Sequence, residues 1–296
     1  MNDQTTDARL VTSPVHYFAS ESHLLGEWLV MRGAISQQQA DEIARVSAER
    51  GLRFGEVAVE LGHVSEDDIN RALAAQFDVA PQDPAPVDAS LIMITDPHSQ
   101  GAEDIRSLRN ALVLRWFKHP EGARTLSVIS AGSGDGRSTI AANLAIACAQ
   151  VGFDTLLIDA DMRAPSQHTL FHVEDRFGLA GFLAGRPSDA INHEIPGFPK
   201  LTVITVGGTP PNPQELLMRG MFQTLIREAK QRFEVIIVDT PAASVATDYQ
   251  LIAAETQGAM LVTSRNQTRV QEARELVAAC RSFGIRLVGS TMATTS

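Results

Sequence analysis

A chain of 296 residues with 44% hydrophobic residues can bury a large core, and its length suits two domains. Its formal net charge of −10 gives no global basic field, which excludes nucleic acid as a main partner. There is no basic-then-apolar leader and no apolar run near the ~18 residues of a membrane span, so a cytoplasmic protein is expected, with inner-membrane recruitment supplied by a partner.

Residues 1–19 read as a flexible arm carrying Tyr17. A helical domain is predicted over 20–78, built on a duplicated unit of 29 residues. Gly26-Glu27 returns as Gly55-Glu56, Val30 as Val59, Gly33 as Gly62, Ile35 as Val64 and Ser36 as Ser65. Each copy reads as a short helix, a glycine stop, a serine cap and a longer helix. Ser65 and Asp68 have the spacing of a capping box, with Asp as a weaker closing residue than Glu. Arg53-Phe54-Gly55, Gly62, Ile69, Ala72-Leu73 and Gln76 resemble the N-terminal domain of type II secretion and pilus assembly ATPases, some of which bind cyclic di-GMP. An arginine suits a guanine edge or a phosphate. The first copy has Leu24 and Ser47 at the arginine and glutamine positions, which favours a docking module over a cyclic di-GMP site.

Residues 79–102 form a connector with Pro81, Pro84, Pro86 and Pro97 around the apolar patch Leu91-Ile92-Met93-Ile94, expected to pack on the domain that follows. From 103 to 296 strand-like runs alternate with helical patterns. The strands are Thr125–Ser130, Thr155–Asp159, Leu201–Val206, Glu234–Asp239, Ala259–Val262 and Arg286–Gly289. Near-continuous aliphatic strands separated by helices predict an α/β fold, a parallel sheet covered on both faces. Cys148 and Cys280 fall in helical apolar patterns and read as buried thiols.

Three strand ends carry the chemistry. After the first comes Ala131-Gly132-Ser133-Gly134-Asp135-Gly136-Arg137-Ser138-Thr139, a glycine-rich turn opening a helix, as a phosphate loop does. It departs from the standard pattern twice: Ala131 replaces the first glycine and Arg137 the lysine. After the second comes Asp159-Ala160-Asp161-Met162-Arg163, whose two carboxylates leave the sheet on one face. The run Val235-Ile236-Ile237-Val238-Asp239 has the layout of a Walker B strand. Asp239 is expected to accept from a metal-bound water and Ser138 to ligate Mg²⁺.

Together these motifs resemble the bacterial tyrosine kinases of capsule and exopolysaccharide export, relatives of MinD-type P-loop ATPases. The stand-alone chain-length-determinant kinases are the nearer match. The likeness covers residues 103–291 and includes Leu156–Pro165 with His168, Gly178–Gly185 and Gly207–Leu217. Leu108-Arg109, Leu114-Arg115-Trp116-Phe117 and Gly136-Arg137-Ser138 mark the narrower group. The resemblance implies ATP and Mg²⁺ as cofactors. Asp159, Asp161, Asp239 and Arg137 would be catalytic; Ser133 to Thr139 and Arg163 would bind nucleotide; Ser138, Asp159 and Asp239 would hold the metal. Asp161 would orient or deprotonate the attacking hydroxyl. It also implies a homo-oligomer through Glu103, Arg106 and Arg109, and a membrane chain-length determinant protein as partner.

Two features depart from the family. Gly132 stands where MinD-type ATPases carry a second lysine, and the terminal tyrosine cluster is missing: only Tyr17 and Tyr249 occur. Two other readings stand beside the kinase: a nucleotide- or cyclic di-GMP-sensing adaptor with weak turnover, and a MinD- or ParA-like positioning ATPase, against which the missing second lysine counts.

Overall fold

The computed structural model describes residues 25–27, 29–31, 33–65, 68–69, 86–118, 123–186 and 191–293. Tyr17, Leu24, Ala72-Leu73, Gln76 and the last three residues lie outside the described residues. The chain divides into two compact units, Met1–Val79 and Ala80–Ser296.

In the first unit the duplication is visible in the packing. Residues 25–27 and 29–31 are helical, followed by α1 (Gln37–Arg50) and α2 (Phe54–Glu60). Ser36 caps α1 in a full capping box with Gln39: Gln39 N–H donates to Ser36 Oγ at 3.2 Å, and Ser36 N–H to Gln39 Oε1 at 2.7 Å. Ser65 and Asp68 repeat it, with Ser65 N–H on Asp68 Oδ2 at 2.9 Å and Asp68 N–H on Ser65 Oγ at 3.1 Å. Gly33 and Gly62 share a left-handed φ, +71° and +70°, which ends each short helix. The buried residues form equivalent pairs: Leu25 with Phe54, Leu29 with Ala58, Ile35 with Val64, Ala40 with Ile69. A Cβ on Gly26 would press on Phe54, and one on Gly55 on Ile69.

The second unit begins with a short helix, α3 (Ile92–Thr95), then α4 (Gln100–Leu112), which continues as a π turn over Val113–Phe117. The described part of the proline-rich segment is built into this unit. Leu91 and Met93 are fully buried, and Met93 N–H donates to Asn143 Oδ1 at 3.0 Å. The helix begins at Gln100, three residues before the expected boundary, because Ser99 caps it.

The sheet then runs through β1 (Thr125–Ser130), α5 (Arg137–Gln150), β2 (Thr155–Asp159), α6 (Gln167–Leu170), α7 (Leu179–Leu183), β3 (Asn192–Ile195), β4 (Phe198–Ile204), α8 (Pro213–Met218) and α9 (Met221–Arg232). It closes with β5 (Val235–Asp239), α10 (Asp248–Thr256), β6 (Gly258–Ser264), α11 (Val270–Ser282) and β7 (Arg286–Ala293). The spatial order is β3-β4-β2-β5-β1-β6-β7. All six anticipated strands form and pair in parallel. The sheet is not wholly parallel, however: β3 pairs antiparallel with β4 at the edge. Its sequence, Asn192-His193-Glu194-Ile195, is short and mostly polar, so it gives no strand pattern to read.

Helix α5 is apolar nearly all round, with Ala141 to Gln150 buried. That pattern belongs to a helix covered on every side. It packs on the sheet below and on α3 and α4. The helix behind the phosphate loop is thereby fixed in place.

Candidate active site

Strands β2, β5 and β1 are neighbours, and their C-terminal ends come level: Asp159 lies in register with Asp239, and Asp239 with Val128. The glycine-rich turn leaving β1 therefore stands beside both strand-ending carboxylates. Such a crevice at the C-terminal edge of a parallel sheet is where open α/β folds bind ligands.

The turn depends on its glycines at two points. Gly134 and Gly136 hold φ of +84° and +80°, a region that side chains strain. Ser133 and Gly134 are exposed at the tip, while Arg137, Ser138 and Thr139 open α5 with N–H groups that have no intrahelical acceptor. Asp135 turns its side chain inward. Its side chain is buried, accepting from Gly132 N–H at 2.8 Å and Thr268 Oγ1 at 2.7 Å, so it shapes the loop from inside.

Arg137 is the centre of the cluster. Its Nε donates to Asp239 Oδ1 at 3.1 Å, one terminal nitrogen to Ser130 Oγ at 2.9 Å, and the other to Asp161 Oδ2 at 2.9 Å. Asp161 is steered by its own loop, accepting from Arg163 N–H at 3.2 Å and Ala164 N–H at 3.0 Å. Asp159 accepts from the N–H groups of Asp161, Ser166 and Gln167 at 3.1, 2.9 and 2.9 Å. Burial, and then the neighbouring Asp239, push its carboxyl well above the usual carboxylate range. Burial also raises Asp239, against the opposing pull of Arg137 and of hydrogen bonds from Ser138 and Gln167.

Arg163 is placed differently from expectation. Its guanidinium clamps Asp248 at 2.8 and 3.1 Å, joining the β2 loop to the start of α10. His168, part of the motif, lies 3.9 Å from Asp175 and outside the carboxylate cluster. Ser130, Gln167, Asp248 and Thr268 complete the site and escaped the sequence reading. Each is a lone polar residue in a loop or at an element end, with no periodic or motif signal.

The donor set fits a magnesium nucleotide. Mg²⁺ takes few protein ligands and keeps several waters, and the Ser138 hydroxyl with Asp239 is such a pair beside a phosphate-binding helix terminus. The buried Gln167 Oε1 has no partner among the described residues, a further acceptor at this wall.

A family model described as ParA, NUBPL iron-transfer P-loop NTPase, matches residues 122–293. Fold and loop thus define the class: a ParA-type P-loop NTPase, whose architecture goes with nucleotide and Mg²⁺. Tyrosine-protein kinase YwqD of Bacillus subtilis is 34% identical over 206 residues, covering 69% of this chain and 85% of YwqD. The kinase domain of Escherichia coli tyrosine kinase ETK superposes with a TM-score of 0.66 at 26% identity, over 72% of this chain and 83% of that one. The chimerical protein CapA2B2 gives 0.65 at 29% identity, over 74% and 96%. Within that class the chain belongs to the bacterial tyrosine-protein kinase family.

Proposed function

We propose that the chain is an Mg-ATP-dependent tyrosine-kinase-like enzyme that regulates exopolysaccharide chain length or export with a separate membrane subunit. The observation that carries the catalytic reading is the convergence of Asp159, Asp161 and Asp239 on the phosphate loop and its arginine. The loop N–H groups hold the phosphates, and Arg137, whose guanidinium nitrogens bond Asp239, Ser130 and Asp161, adds its positive charge behind them. Ser138 and Asp239 would hold the metal, which would supply charge neutralisation. Asp161, fixed by two backbone N–H groups, orients and deprotonates the incoming hydroxyl. That oxygen attacks the γ-phosphorus in line, the bond to the ADP oxygen breaks, and the charge is held by fixed donors. Asp159 holds the β2 loop that presents Asp161, a more structural part than the metal ligand expected of it.

The acceptor is better sought on another molecule. Tyr249 is 4% exposed and packed among Ile129, Ala253 and Leu276. A tyrosine so packed is a poor acceptor, which leaves Tyr17 as the one acceptor this chain could offer beside an external one. The membrane partner fits the fact that no helix among the described residues is long and apolar enough to cross a membrane. For the first unit we favour docking over cyclic di-GMP binding, because Arg53 has no counterpart in the other copy.

The test combines phosphosite mapping by mass spectrometry with phosphate release, on the protein alone and with the partner's cytoplasmic segments. We expect slow release and little or no phosphotyrosine from the isolated chain, any modest signal falling at Tyr17, more phosphotyrosine when an external acceptor is added, and loss of turnover in Asp239→Asn by at least ~100-fold. Stoichiometric phosphorylation of Tyr249, or an unimpaired Asp239→Asn protein, would overturn the reading.

A further inference from the structure

Gln167 bonds to two of the three carboxylates and to the first turn of α5. It is fully buried. Its backbone N–H donates to Asp159 Oδ2 at 2.9 Å. Its side-chain Nε2 donates to Asp239 Oδ2 at 2.8 Å and to the Ser138 carbonyl at 3.2 Å. One residue thus ties the β2 loop to the end of β5 and to the first turn of α5.

The amide can sit only one way round. Both neighbours of Nε2 are acceptors, so a flipped carboxamide would set oxygen against oxygen. That leaves Oε1 facing away from them, with no partner among the described residues. A buried carbonyl without a donor is uncommon and calls for one. The remaining neighbours do not meet it. Arg137 already spends its nitrogens on Asp239, Ser130 and Asp161. Meanwhile Asp239 is held from both sides, Oδ1 by Arg137 and Oδ2 by Gln167, so the amide fixes the rotation of that carboxylate.

We infer that Gln167 is a positioning residue of the magnesium-nucleotide site: Nε2 fixes the Asp239 carboxylate, and Oε1 accepts a hydrogen bond from a water carried by the metal. This rests on the Mg-ATP reading above. Layers of this kind behind metal ligands tune affinity by roughly 10–100-fold. An apolar side chain of equal length would remove both functions while filling the same space.

The measurement is ADP affinity by calorimetry, at saturating Mg²⁺ and again with excess EDTA, for the wild type, Gln167→Met and Gln167→Asn. Thermal melting in EDTA serves as the check on folding. The wild type should bind ADP more tightly with Mg²⁺. In Gln167→Met that Mg²⁺-dependent gain should fall at least ten-fold, while affinity in EDTA stays within two-fold. Gln167→Asn, which keeps the amide but withdraws it by one methylene, should show a smaller loss of the same kind and serves if the methionine variant does not fold. An undiminished Mg²⁺ gain in either folded variant overturns the inference. So does an equal loss with and without Mg²⁺, which marks a merely structural residue. If the wild type itself gains nothing from Mg²⁺, the Mg-ATP reading fails and takes the inference with it.

Discussion

The guanidinium of Arg137 spends its fork on two carboxylates and a hydroxyl, all inside the protein. A lysine there would keep the charge but offer a single tetrahedral head, unable to meet three partners spread in a plane. Arg137→Lys should therefore cost stability before it costs chemistry. Losing one hydrogen bond to a buried charged group costs about 1.5–3 kcal/mol. For a unit of this size that lowers Tm by roughly 3–12 °C, read by calorimetric melting. Nucleotide affinity should be retained in part, since the positive charge survives; an unchanged Tm would show that the fork is ornamental. Of this cluster, Asp159, Asp161 and Asp239 were legible in the sequence because each follows an aliphatic strand, and Arg137 because it follows a glycine turn. Asp135 and Arg163 were legible as residues but not as contacts. Their partners, Thr268 in a loop and Asp248 at the start of α10, lie 133 and 85 residues away, and no local pattern announces such pairings.

Among the elements, the segment before α4 shows how a proline-rich run becomes part of a core. Asn143, in the middle of α5, accepts from Met93 N–H at 3.0 Å and donates to the Ser90 carbonyl at 2.9 Å. Gln150, two turns on, donates to the Met93 carbonyl at 3.2 Å. Asn143→Leu has similar bulk but strands a buried N–H and a carbonyl, at about 1–3 kcal/mol each. We expect an unfolding midpoint in urea lowered accordingly, with hydrogen exchange at Met93 accelerated more than in the strands. Uniform exchange rates would deny that Asn143 pins this segment. Sequence patterning found Leu91 to Ile94 as apolar but could not show that α5 has a polar residue waiting for their backbone. The π turn after α4 is similar. It seats Trp116 under β6, where Gly258 leaves no room for a Cβ beneath the indole, and Trp116 Nε1 donates to the Thr125 carbonyl at 2.9 Å. A strict helix would have carried that ring elsewhere.

At the scale of the whole molecule, the assembly proposed through α4 can be weighed from its charged side chains. Arg106 reaches Glu103 at 3.3 Å and the Pro97 carbonyl at 2.7 Å, and Arg109 donates to the Ala147 carbonyl at 3.2 Å. The arginines are thus partly committed within the chain, while the Glu103 side chain is 62% exposed. Exposed pairs of this kind contribute little alone, about 0–1 kcal/mol, so an interface built on them would need several copies acting together. Replacing Glu103, Arg106 and Arg109 together should shift light scattering from a larger assembly to the monomer, with ADP binding kept; an unchanged mass would exclude this face. The first unit adds a different lesson. Four buried residues of one copy have buried counterparts in the other, and the glycines of both copies make room for side chains of the second. Neither copy therefore owns an interior. What looks along the chain like two beads is one knot, and cutting between Gly51 and Arg53 would leave two halves with nothing to fold around.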